Sequence, residues 1–119
     1  MTQSAELGKF GEDIAGKFLE NIGYKIIDKN FKTKFGEIDI IAKDKNTFVF
    51  IEVKTRNSDE YGAPQLAVNN YKKKHLMLSA LTFIKKNSLY SDYRFDIIAI
   101  NNYEIEHIKN AFVFSGYTV

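Results

Sequence analysis

The 119-residue chain has no cysteine, one proline and only two histidines. Without cysteine there is neither a disulfide nor a thiolate zinc site, which fits a reducing cytoplasm. His75 and His107 stand without spaced partners, so a histidine-based zinc site is not expected either. Pro64 is the single proline, and no repeat or low-complexity tract suggests a linker. The length suits one domain, residues 1–119, around one core. Long apolar runs are also missing. The first residues, Met1-Thr2-Gln3-Ser4-Ala5-Glu6, lack a basic-then-apolar signal segment and nothing approaches a membrane span, so a soluble cytoplasmic protein with no membrane partner is expected. Charge of one sign is scarce: 17 Lys and Arg against 15 Asp and Glu leave a net +2. Bulk charge therefore does not declare a nucleic-acid binder, and distribution carries more than the sum.

What is present is a pair of strands with charges where apolar residues belong. Gly36-Glu37-Ile38-Asp39-Ile40-Ile41-Ala42 and Phe50-Ile51-Glu52-Val53-Lys54-Thr55-Arg56 both alternate with a period of two. Asp44-Lys45-Asn46 between them is turn chemistry, and an antiparallel hairpin is the natural connection. If Lys45-Asn46 is a two-residue loop, Asp44 pairs with Thr47 and Asp39 falls opposite Glu52. Paired residues point to one face, so Lys54 joins them, and Glu37 falls there by the same alternation. Burying such groups costs stability unless they serve each other or a metal.

Two carboxylates on adjacent strands offer hard oxygen ligands for Mg²⁺, or Mn²⁺ in its place, which carboxylates hold together with waters and a substrate phosphate. A lysine beside them can position or deprotonate a water and neutralise charge growing on a phosphate. That combination suits phosphodiester hydrolysis. The alternative is an ordinary Glu52–Lys54 ion pair on a wet sheet face with Asp39 as a strand-end acid.

The order Asp, then Glu-x-Lys on the next strand, resembles the D…ExK core of the restriction-endonuclease-like PD-(D/E)xK superfamily. Both strands, together with Gly8, Gly11, Glu12, Ala15, Asn30 and the later Arg94-Phe95-Asp96-Ile97-Ile98-Ala99-Ile100, look like the pattern of the YraN-type bacterial family. More distantly the chain is similar to archaeal Holliday-junction resolvases, which share a helix-borne Glu, the Asp and the Glu-x-Lys. The resemblance implies a nuclease of DNA, with branched or repair intermediates as substrates. It also implies Asp39, Glu52 and Glu12 as metal ligands and Lys54 as the residue that orients water. Periodicity alone places Glu12 on a helix at a half-buried border, where the alternative is a solvent-facing acid paired one turn away.

The remaining elements give a scaffold. Residues 5–22 read as a helix with Leu7, Phe10, Ile14, Ala15, Phe18 and Leu19 as its apolar stripe, closed by Gly23 as a left-handed cap. A first strand covers 24–28, the hairpin 37–43 and 47–56, and a polar loop 57–62. A helix follows Pro64, capped by Asn69 or Asn70 and ending near Asn87. Strands at 93–100 and 104–112 flank an Asn101-Asn102 turn. The expected order α-β-β-β-α-β-β gives an α/β fold, a mixed sheet of about five strands with a helix on each side, and the resemblance points to the same restriction-endonuclease-like architecture.

Phosphate-binding candidates lie around this centre. Lys32 and Lys34, with Lys25 and Lys29, crowd the approach to Gly36, and Lys72-Lys73-Lys74-His75 form a second basic run. Both runs are placed to hold phosphates away from the acids, or else are solvated faces. Arg56 extends the Glu-x-Lys face as a phosphate contact or a rim ion pair. Gln65 is a phosphate or water partner or a polar helix start, and Tyr61 a base-stacking candidate. Arg94 and Asp96 read as a structural pair. Three functional readings are distinguishable: a metal-dependent nuclease, a nuclease-like module that binds nucleic acid without cutting, and a protein-interaction domain with an inherited ion network. One site per chain makes a symmetric homodimer the expected route to cutting two strands.

Overall fold

The computed structural model describes residues 3–56, 68–87, 92–102 and 104–112. Helix α1 (Gln3–Asn21) leads into strand β1 (Lys25–Thr33), hairpin β2 (Gly36–Asp44) and β3 (Thr47–Arg56), helix α2 (Asn70–Lys86), and strands β4 (Asp92–Asn101) and β5 (Glu104–Phe112). The element order is the expected one. The loop at 57–62, Pro64, Tyr61 and Gln65 lie outside the described residues.

Helix α1 ends as its sequence indicates. Gly23 takes φ +96°, Tyr24 N donates to Leu19 O at 2.9 Å and Gly23 N to Glu20 O at 3.0 Å. These are the two bonds of a Schellman cap, and the accompanying apolar contact unites Leu19 and Tyr24 in one core cluster.

The five strands lie side by side in sequence order, antiparallel except for β3 and β4. That parallel pair needs a crossover, and α2 lies within it. Each face of the sheet carries a helix. On one side Ala15 and Leu19 of α1 pack on Ile40, Val49, Ile51 and Ile98. On the other, Leu76, Met77, Ala80 and Phe83 of α2 pack on Phe48, Phe50, Phe95 and Ile97. Strands covered on both faces read as near-continuous apolar runs, which β2, β3 and β4 are.

Two expectations on the first strand and its neighbour are corrected. Strand β1 runs five residues past Asp28, to Thr33, because it is an edge strand and its Lys29-Asn30-Phe31-Lys32 segment is mostly exposed. An edge needs no apolar alternation, and lysines there discourage pairing with a second sheet. Strict alternation in β2 also fails. Ile38 packs with the α2-side core and Ile40 with the α1-side core, so Glu37 does not share the Asp39 face. Across from this switch Asn30 adopts φ +55° between the pairs Lys29↔Ile40 and Phe31↔Ile38.

The approach of α1 to β3 depends on Gly11, where a Cβ would stand 2.0 Å from Thr55 Oγ1. Gly11→Ala is expected to push α1 off the sheet and destabilise by about 1–3 kcal/mol. At Gly8 a Cβ meets nothing within 4 Å, so Gly8→Ala is expected to be neutral or to stabilise by up to about 1 kcal/mol. Thermal melts of both variants check the contrast, and equal shifts would contradict the docking role of Gly11.

Candidate functional site

Glu52 and Lys54 occupy alternate positions of β3, continuing the Phe48 and Phe50 face that α2 covers. Glu52 is only 5% exposed, a burial that a carboxylate tolerates when it is partnered. Lys72 Nζ lies 2.5 Å from Glu52 Oε2. This lysine belongs to the first turn of α2, and its backbone amide donates to the cap Asn69 Oδ1 at 2.9 Å. The cap that starts the helix therefore also fixes where the lysine begins.

The hairpin register is the one the turn implied: Asp44 pairs with Thr47, and pairing continues to Ile40↔Ile51. The regular ladder stops there, one step short of Asp39 and Glu52. In its place the Asp39 side chain reaches across, and Oδ2 accepts from Val53 N at 2.8 Å. Its carboxyl stands beside that of Glu52 on the same cavity wall. Two neighbouring carboxyl groups disfavour a charge on both. Burial first, then the contact with Glu52, pushes Asp39 from 3.8 up to about 9, against the pull of the Val53 amide.

The two lysines shift in opposite directions. Burial foremost, joined by the neighbouring Lys72, lowers the Lys54 pKa, with Glu52 and Asp39 opposing. Burial alone would also lower Lys72, but its contacts with Glu52, Lys54 and Asp39 outweigh it and hold the ammonium above its ordinary value. The same cluster thus lowers one lysine and raises the other.

These groups line an open cavity of about 420 Å³, walled by Leu7, Gly8 and Glu12 of α1, Asp39 of β2, residues 52–55 of β3 and Lys72 of α2. Helix α1 does not cover the Glu52 face, as a helix docked on the active face would. It packs on the opposite face, and Glu12 comes to the cavity wall where β2 and β3 stop pairing. There the Glu12 carboxyl feels the Asn30 side chain of the edge strand. Its pKa is raised, by burial first and also by Glu37 and Asp13, against the lowering by Asn30. Among the described residues no three acidic or histidine side chains come close enough together to enclose a metal. The donor set is thus Asp39 and Glu52, with Glu12 at the wall. Two carboxyl groups held in contact beside an open cavity fit a small hard cation such as Mg²⁺, which takes one or two carboxylates and completes its shell with water.

Of the basic candidates, Lys72 lies at the acidic centre rather than apart from it. Lys73 turns away, its Nζ 5.6 Å from the Phe112 ring centroid. Lys32 is exposed in the pair with Glu37, and Lys34 sits over Phe35 at 5.2 Å; neither lines the cavity. Arg56 is half-buried at the end of β3 and outside the cavity lining. Sequence periodicity missed the Lys72–Glu52 contact, yet a signal was present. Lysines in a first helical turn with no acidic neighbour run against the helix dipole, so such a turn calls for an outside anion.

A second polar cluster lies under α1. Asp96, fully buried, accepts from Arg94 Nε at 2.9 Å, Arg94 Nη2 at 3.2 Å, His107 Nε2 at 2.8 Å and Asn110 N at 2.9 Å. Arg94 Nη1 also donates to Asp44 Oδ2 at 3.1 Å, and Nη2 to the Tyr24 hydroxyl. Burial opposes ionisation of Asp96, but His107, Arg94 and the Asn110 amide outweigh it and hold the carboxyl below its ordinary value. The Arg94–Asp96 pair is structural, as expected, and His107, solitary in sequence, completes it.

Fold and site define a small α/β protein with a five-stranded mixed sheet between two helices and an acid–lysine cluster where the central hairpin opens. The chain belongs to the uncharacterised protein family UPF0102, whose pattern matches residues 11–100. This is the YraN-type family whose motif strands the sequence carries. It is 55% identical over 107 residues to a UPF0102 protein of Thermodesulfovibrio yellowstonii, covering 90% of this chain and 96% of that one. It is 45% identical over 117 residues to one from Syntrophus aciditrophicus, covering 94% and 92%, and 47% identical over 112 residues to one from Geobacter sulfurreducens, covering 89% and 88%. Among the described residues no helix is long and apolar enough to cross a membrane.

Proposed function

We propose that this chain is a divalent-metal-dependent nuclease of the PD-(D/E)xK type that hydrolyses phosphodiester bonds in DNA, branched or repair intermediates included. The observation that carries the reading is the Asp39–Glu52 carboxyl pair, brought together beside Lys54 on the wall of one open cavity. Evolution-neutral packing would not favour two acids in contact at a half-buried position, because the arrangement costs stability. Asp39 and Glu52 would hold Mg²⁺ or Mn²⁺, with Glu12 assisting from the wall. When bound, such an ion supplies Lewis-acid charge against the phosphate.

The chain's own residues do the rest. Lys54, its proton affinity lowered, orients the attacking water and, as the neutral amine, accepts at Nζ the proton that water gives up. Backbone rigidity at the site comes from the Val53 amide, which fixes the Asp39 carboxyl and with it the spacing to Glu52. Arg56 and the exposed lysines Lys32 and Lys34 are proposed to steer the backbone of the nucleic acid, where their contribution is sequence-independent. A symmetric pair of chains would supply the second site needed to cut both strands of a duplex or junction.

The test is cleavage of labelled single-stranded, duplex, flapped and four-way-junction DNA, with RNA counterparts, in Mg²⁺ and in Mn²⁺. Wild type is run beside Lys54→Ala purified identically. The expected result is metal-dependent cleavage of DNA that falls by about 10²–10⁴-fold in the variant. Equal rates in the two proteins would sink the nuclease reading, and binding of junction DNA without cleavage in either metal would favour a non-cutting module.

A further inference from the structure

Lys72 is not part of the Glu-x-Lys motif, yet among the described residues it forms the ion pair of the centre, 2.5 Å from Glu52. It comes from a different element, the first turn of α2, and lines the same cavity as Asp39, Glu52, Lys54 and Glu12. Its side chain is 37% exposed while Glu52 is nearly closed off. A positive charge thus already stands where the carboxyl pair would receive a cation.

Resting on the nuclease reading, we propose that Lys72 is the resident counter-ion of the Asp39–Glu52 pair and that a divalent metal binds by displacing its ammonium from Glu52. The Lys72 charge is compact and sits at the end of a flexible four-carbon stem. It can therefore leave Glu52 for the open side of the cavity without moving the helix that carries it. Two like charges cannot share the Glu52 oxygen at close range, because their repulsion grows as the site dries. Metal affinity is then reduced by the energy of the ion pair that must break. The metal-free protein keeps its acids neutralised internally, and the released ammonium stays in the cavity beside Lys54.

The experiment is Mn²⁺ titration by calorimetry and by electron paramagnetic resonance. Wild type is compared with Lys72→Met, Lys72→Gln and the control Lys109→Met, whose lysine lies on β5 over Tyr24, 5.9 Å from the ring centroid. Both Lys72 variants are expected to bind Mn²⁺ about tenfold more tightly or better, with the control equal to wild type. Should the variants lose their fold by circular dichroism, the wild type alone still decides. Its Lys72 ammonium, followed by ¹H–¹⁵N NMR, is expected to shift and lose protection as Mg²⁺ saturates the site. Equal or weaker Mn²⁺ binding in the folded Lys72 variants, or an unmoved Lys72 signal at saturation, overturns the displacement and leaves the nuclease reading standing. Absence of Mn²⁺ binding at millimolar concentration in every folded protein overturns both.

Discussion

Asp39→Asn is expected to melt above the wild type in metal-free buffer at pH 7.5, and to cleave no substrate when Mg²⁺ is supplied. The stability gain follows from the raised carboxyl. Asp39 stands at about 9 in the folded chain against an ordinary 3.8. Between those two values the folded protein binds a proton that the unfolded chain has released, so stability falls as pH rises through the interval. Asparagine does not titrate. It can still accept from Val53 N and can donate to Glu52, so the penalty disappears without opening a cavity. The gain should be about 1–3 kcal/mol, or roughly 3–10 °C in melting temperature. It should shrink towards zero as pH approaches 4. Saturating Mg²⁺ should reverse the order, because a ligand that binds only the folded wild type stabilises it alone. Differential scanning calorimetry across pH, with and without Mg²⁺, reads all of this. A variant less stable than wild type at every pH would contradict the carboxyl contact.

Asp96→Ala should have the largest effect on the fold. The carboxyl is fully buried and accepts four hydrogen bonds, so its removal takes the partner from Arg94 Nε, the His107 ring and the Asn110 amide and leaves Arg94 only Asp44 and Tyr24. Breaking a buried pair by deleting one member costs about 3–5 kcal/mol, a large part of the ~5–15 kcal/mol that holds a domain of this kind together. Urea unfolding should show a much lower midpoint at pH 7, and an unchanged midpoint would refute the network. The pH dependence has the opposite sign to that of Asp39. The Asp96 carboxyl is held below its ordinary value in the folded chain, so its contribution is complete above that ordinary value. It is lost as pH falls through the lowered one. The wild type should therefore lose stability on acidification more steeply than Asp96→Asn does.

The two predictions separate what was readable along the chain from what was not. The hairpin was readable because its register depends on a two-residue turn and a period of two, both local. Asp44↔Thr47 fixes every later pair down to Ile40↔Ile51. The α1 cap was readable because one glycine with positive φ suffices to end a helix there. Strand β1 was half-readable, since an exposed edge strand lacks the apolar alternation that marks a buried one. The placement of Glu37 failed because alternation assumes an uninterrupted pleat, and β2 switches face between Ile38 and Ile40, where Asn30 of the neighbouring strand takes a positive φ.

By itself the sequence determined the element order, the central hairpin and the convergence of Asp39, Glu52 and Lys54, because each follows from short-range periodicity and turn chemistry. Tertiary structure alone decided that Lys72 meets Glu52, that Glu12 comes to the cavity from the far face, and that His107 joins Arg94 on Asp96. Each of those joins residues from different elements, 11 to 40 positions apart in the chain. The packing of two helices on opposite faces of one sheet brings Lys72 and Glu12 to the cavity, and an irregular stretch of the β4–β5 pairing brings His107 to Asp96; neither leaves a local period to read.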